Sequence, residues 1–215
     1  MTVIASLTPE RAFIFRIVHR DNLPWILDNG LHCRNSPAND PNYVEIGNPD
    51  LIGKRNARPV PIAPGGTLSD YVPFYFTPRS PMLLNIKTGY NGVRQRSNDE
   101  IVIMVSSLNR LRELGHPFLF TNQHAYVQTA QFFSDLARLD QIDWPILQNS
   151  DFKRDVDDLG KFERYQAEAL VRGVLPVTSL VGIACNNVAG VDRVATQLAA
   201  RDIVVPAAAR PNWYF

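Results

Sequence analysis

The apolar residues of this chain fall in short runs at uneven intervals, and that spacing constrains the fold more than any other feature of the sequence. AFIFRIVH (12–19), EIVIMVSS (100–107), PFLFT (117–121), AEALVRGVLP (167–176), LVGIACNN (180–187) and DIVVPA (202–207) are too short for ordinary globular helices and read as strands or extended pieces. Helical signals separate them irregularly. RDNLPWILDNGLH (20–32) offers Asp21 or Asn22 as an N-cap, Pro24 in the first turn and Gly30 as a stop. NQHAYVQTAQFFSDLARL (122–139) places Val127, Ala130, Phe133 and Ala137 at helical spacing behind Asn122, and GVDRVATQLAAR (190–201) reads as an amphipathic helix. Strands and helices without a regular βα alternation predict an α+β fold rather than a doubly wound sheet. At 215 residues and 45% hydrophobic composition, the chain is expected to form one domain over 1–215.

Residues 34–67 have no sustained period and are dense in Pro, Asn and Gly. A compact domain rarely keeps so long a connection without using it, so this region is expected to be a binding loop or lid, and it carries Lys54, Arg55 and Arg58. DYVPFYFTPRSPML (70–83) follows, and Pro73, Pro78 and Pro81 argue for a place at a sheet edge or a cleft wall. The stretch from Leu139 to Gln166 reads as an exposed helix-and-loop excursion before the chain returns to the core.

Several functions are disfavoured on these grounds. The formal net charge is +1, so any binding of a polyanion must come from local clustering. Cys33 and Cys185 make neither a disulfide framework nor a zinc site and are expected to be buried thiols. His19, His32, His116 and His124 are scattered without metal-ligand spacing, and no metal is expected. There is no phosphate loop, dinucleotide fingerprint or serine-hydrolase elbow. No segment reaches the roughly 18 uninterrupted apolar residues of a membrane span, so a soluble, cytoplasmic protein is expected.

One residue stands out within KFERYQAEALVRG (161–173). Glu168 opens an apolar strand, where a carboxylate costs several kcal/mol to bury without a partner. In extended conformation it shares a face with Leu170 and Arg172, opposite Ala169 and Val171. Aromatics interleaved with arginine in 70–83 suit the stacking of unpaired bases.

The order of FRIVHRDNLPWILDNGL, GKRNARPVP, GGTLSDYVPFYFTPRSPML, PFLFTNQHAY, QIDWPIL, RYQAEALV and the terminal WYF closely resembles the DarT family, from about residue 13 onward. These are NAD-dependent ADP-ribosyltransferase toxins that modify a base in single-stranded DNA. The resemblance implies a fold like that of the poly-ADP-ribose polymerases, with a split two-sheet core, flanking helices and NAD in the cleft between the sheets. Glu168 then falls at the catalytic glutamate position and Arg55 at the catalytic arginine, holding either the acceptor base or the NAD phosphates. His19, Asn22, Tyr71 and Met82 are expected at NAD, and Lys54, Arg58, Tyr75, Arg79 and His124 at the DNA. Residues 34–67 are expected to cover NAD and shape the DNA site. Thymine is the favoured acceptor, with guanine, RNA or protein as alternatives and a non-enzymatic single-strand binder as a rival of another class. A macrodomain antitoxin is the implied partner, and the chain is expected to be a monomer.

Overall fold

Strand formation is strongest where burial is complete. In the computed structural model, which describes residues 4–215, the run Ile101–Ser107 is buried at every position and therefore needs cover on both faces of its sheet. Along the chain run β1 (Phe13–His19), α1 (Leu23–Asn29), β2 (Leu31–His32), α2 (Pro49–Asn56), β3 (Tyr71–Tyr75), α3 (Pro81–Thr88), β4 (Ile101–Ser107), α4 (Leu108–Glu113), β5 (Phe118–Thr121) and β6 (Phe132–Phe133). Then come α5 (Trp144–Gln148), α6 (Lys161–Arg164), β7 (Glu168–Arg172), β8 (Val174–Leu175), β9 (Gly182–Cys185), α7 (Val188–Ala199) and β10 (Ala207–Ala209). This is the α+β arrangement the uneven spacing predicts. Cys33 and Cys185 are buried free thiols.

The strands order as β10-β9-β4-β1-β3-β7-β5-β6, with β2 and β8 paired separately. Pairing is antiparallel except between β9 and β10. The continuity of that order hides a seam. β1 and β4 pair from Phe13↔Ser107 to His19↔Ile101, and β3 and β7 from Tyr71↔Arg172 to Tyr75↔Glu168, but β1 and β3 share only Phe15↔Tyr75. The expected split two-sheet core is thus one eight-stranded sheet whose two halves meet at a single bridge.

Pro73 explains itself at the seam. Its carbonyl accepts from Arg16 Nη1 at 2.9 Å, so the missing N–H faces the open side rather than the β7 ladder. The segment thus forms a cleft wall, though β3 lies inside the strand order and not at its edge. Within β7, Ala169 and Val171 face the main core, while Leu170 joins Val60, Leu68, Tyr71 and Leu119 in a second cluster.

Four expectations fail locally, one of them the exposed excursion over 139–166, where Leu139, Ile142, Trp144, Leu147 and Tyr165 are buried in the main core. Residues 122–139 form no α-helix: the side chain of Asn122 accepts from Gln131 N at 3.1 Å, closing a loop instead of capping a helix, and β6 then pairs Phe133 with Phe120. The spacing of Val127, Ala130, Phe133 and Ala137 coincided with a helical period without producing one. The last strand is Ala207–Ala209 rather than 202–207, and Val204 stands 98% exposed. Asn22 occupies the cap position of α1, but its side chain makes no capping bond there.

Candidate functional site

Glu168 is the first residue of β7 and only 3% exposed. Its carboxylate is held by two groups and faced by a third. Arg55 donates through both terminal nitrogens, Nη1 to Oε1 at 3.0 Å and Nη2 to Oε2 at 2.9 Å, the fork geometry that suits a carboxylate. The Ala125 N–H donates to Oε1 at 3.0 Å, and His124 Nδ1 lies 3.6 Å from the same oxygen. Nδ1 of His124 also accepts from Tyr126 N at 3.1 Å, which leaves the ring proton of the neutral form on Nε2.

Charge states follow from these contacts. Burial opposes ionisation of Glu168, but the Arg55 charge and the hydrogen bonds from Arg55 and Ala125 outweigh it and keep its pKa below the ordinary carboxylate value. Burial likewise opposes the charged form of Arg55, and Glu168 more than restores it. Desolvation pushes His124 below the usual histidine range against the pull of Glu168. Tyr75, the register partner of Glu168 on β3, is pushed well up by burial and then by the carboxylate, so its hydroxyl stays protonated. The site therefore holds one buried ion pair flanked by a neutral imidazole and a neutral phenol.

Arg55 arrives from within the long loop. Asn48 caps α2 by accepting from Leu51 N at 3.0 Å and Pro49 fills the first turn, a local signal for a helix that the Pro and Asn density of 34–67 obscures. No residue of α2 is fully buried, and the Arg55 side chain, 13% exposed, is drawn into the cleft. The loop before it is fastened by Asn22, whose side chain accepts from Val44 N at 2.8 Å and donates to Val44 O at 3.0 Å. After α2, a turn closed by Val60 N to Gly66 O and Leu68 N to Arg58 O is held by Arg172, which donates to Gly65 O at 2.7 Å.

These elements enclose a cleft of about 480 Å³ at the seam. Of the residues singled out from sequence, Arg55, Tyr71, Tyr75, Met82, His124 and Glu168 line it. The others stand elsewhere. His19 packs behind β1, its Nε2 3.1 Å from Arg96 Nη1 and 3.5 Å from Glu100 Oε1. Asn22 reaches the cleft only through the loop it fastens. Lys54 is exposed on α2, and Arg58 donates to Val127 O at 3.0 Å. Arg79 bonds the carbonyls of Asn212 and Tyr214 and lies over the Phe215 ring at 4.1 Å, tying down the C-terminal segment. Sequence reasoning missed Trp25, His32 and Tyr43 on the far wall, and the Ala125 N–H, which leaves no trace in residue type.

The family described as "DarT: ssDNA thymidine ADP-ribosyltransferase, DarT" matches residues 15–215. The chain belongs to the DarT family. An Escherichia coli O127:H6 relative described as a DNA ADP-ribosyl transferase is 54% identical over 211 residues, covering 98% of this chain and 97% of its own. A Thermus sp. 2.9 DNA ADP-ribosyl transferase is 37% identical over 215 residues, covering 96% and 98%. Among solved structures, Thermus sp. 2.9 DarT in complex with ADP-ribosylated single-stranded DNA superposes with a TM-score of 0.88 at 34% identity, over 96% of this chain and 98% of that one. The same DarT in complex with NAD+ gives 0.85 over 96% and 99%. The likeness to the DarT family thus extends over the two half-sheets and the seam between them.

Proposed function

We propose that this chain transfers ADP-ribose from NAD to a thymine base in single-stranded DNA, releasing nicotinamide. The family membership supports the reaction, and the observation that carries its assignment to residues is the ionised, buried Glu168 at the seam. Breaking the bond from ribose C1′ to the nicotinamide nitrogen builds positive charge on the sugar, as in other glycosidic cleavages. A carboxylate fixed on a paired strand meets that charge without reorienting. C1′ then bonds to a thymine ring nitrogen, whose proton must leave. Glu168 accepts that proton only after Arg55 withdraws from it, because the ion pair makes it a weak base. Arg55, once free, has five donors for the phosphates of NAD or the carbonyls of the base. Met82, Tyr71 and Tyr75 line the cleft beside them, and Lys54 stands on its exposed rim helix, where a DNA phosphate can reach it.

By family, the chain takes the toxin role of a toxin–antitoxin pair, with a macrodomain antitoxin as its partner. No helix among the described residues is long and apolar enough to cross a membrane.

Incubation with labelled NAD and, separately, single-stranded DNA, duplex DNA, RNA or protein tests the reading, with mass spectrometry to locate the adduct. Label on thymine of the single strand alone supports it. Transfer confined to protein, or full activity in Glu168→Ala, defeats it.

A further inference from the structure

The β5–β7 ladder runs through Phe118↔Val171, Leu119↔Leu170 and Phe120↔Ala169, and stops one position before the carboxylate. At that position a side chain replaces the main chain. Thr121 is completely buried, and its Oγ1 accepts from Glu168 N at 3.2 Å while donating to Gln123 O at 2.6 Å. One hydroxyl therefore joins the first residue of β7 to the turn that carries His124 and Ala125. Apart from the Ala125 N–H on the carboxylate itself, ties of that turn lead elsewhere: Asn122 holds Gln131, and His124 N donates to Glu163 O at 2.9 Å in the helix before β7.

We propose that Thr121 is a positioning residue for the transfer reaction, its hydroxyl setting the spacing between the Glu168 carboxylate and the Ala125 N–H and His124 ring that face it. The inference rests on Glu168 being the catalytic carboxylate. A buried hydroxyl with both roles filled by protein atoms has no water to stand in for it, so its removal shifts the turn against the strand. Displacements of about 1 Å at a reacting centre are enough to reduce turnover roughly 100-fold.

The test compares the full-length protein with Thr121→Val, Thr121→Ser and Glu168→Gln, measuring kcat and KM for NAD on a single-stranded oligonucleotide across pH, with thermal melting as a check on folding. Thr121→Val is expected to lower kcat roughly tenfold or more, with KM for NAD changed by no more than about threefold. Its acid limb should move to higher pH. Weakening the Ala125 N–H bond removes one of the contacts that keep Glu168 ionised, while Arg55, Tyr75 and His124, the other groups facing the carboxylate, are retained. Thr121→Ser should restore both quantities.

Wild-type kcat and acid limb in Thr121→Val, a Ser variant as impaired as the Val variant, or a loss of kcat without movement of the limb each overturns the proposal. Should Thr121→Val fail to fold, Thr121→Ala is read by the same criteria, and if that also unfolds the hydroxyl serves folding and the proposal falls. Full activity in Glu168→Gln defeats the underlying site reading instead, which separates the two failures.

Discussion

Glu168 and Arg55 meet in one ion pair from supports of opposite kinds. Glu168 begins a strand whose first four residues are buried and which pairs with β3 on one side and β5 on the other. Arg55, itself mostly covered by the pair, sits near the end of a helix whose residues are otherwise half-buried or exposed, inside a loop fastened by a few side-chain bonds such as Asn22 to Val44 and Asn48 to Asn91. Local opening free energy follows buried contacts, so the strand is the stable partner and the helix the one that yields. The pair joins a fixed strand to a lightly held helix across the cleft.

The largest test of this contrast removes the rigid partner. Glu168→Gln should lower transfer at least roughly 100-fold, the scale for a preorganised charge group. Its melting temperature should stay close to that of the wild type, because Arg55 can swing with α2 into water. Circular dichroism melts and nicotinamide release measure both; a collapse in stability would show that α2 is as rigid as β7.

Removing the yielding partner should behave differently. Arg55→Ala leaves a carboxylate that cannot follow its lost partner to solvent, and breaking a buried pair from one side costs up to about 3–5 kcal/mol, less here because the Ala125 N–H still donates to it. In the wild type the folded pKa of Glu168 is lowered, so its contribution to stability is present above the unfolded value near 4.5 and lost only as pH falls through the folded one. Without Arg55, acid unfolding and the acid limb of activity should both move to higher pH. An unmoved limb would contradict the assignment of Arg55 as the dominant counter-charge.

Smaller effects should follow from loosening the loop itself. Asn22→Ala removes both bonds to Val44 and should raise KM for NAD roughly tenfold with kcat nearly constant, since each such bond contributes about 0.5–1.5 kcal/mol. Hydrogen exchange at the Val44 amide gives an independent reading; unchanged protection would show that the loop is held by something else. The smallest change belongs to Lys54→Ala, on the exposed face of α2. Oligonucleotide affinity should fall a few-fold and its log–log salt slope by about one, without a change in melting temperature.

The same contrast explains what was legible in advance. β1 and β4 follow from their short apolar runs and α7 from its amphipathic period, because each buries several neighbouring residues. Glu168 was conspicuous because a charge at the start of an apolar run needs a reason. Arg55 was not, since a guanidinium in a polar loop is ordinary, and only the resemblance of GKRNARPVP to the DarT family singled it out. Residues 122–139 misled because a helical period in apolar residues cannot reveal that the backbone donors are needed elsewhere, at Glu168 and around Asn122. The pairing of Asn22 with Val44 was not legible either, since a side-chain amide bonds any peptide group it can reach.

The sequence by itself determined that the long buried strands β1, β4 and β7 form and that a carboxylate must enter the core with one of them, because burial and backbone preference are read within a few neighbouring residues. Only the tertiary structure decided which cation answers it. Arg55 lies 113 residues away, and the turn carrying Ala125 lies 43 away. Charge pairing over such separations depends on distances in space, which no local pattern encodes.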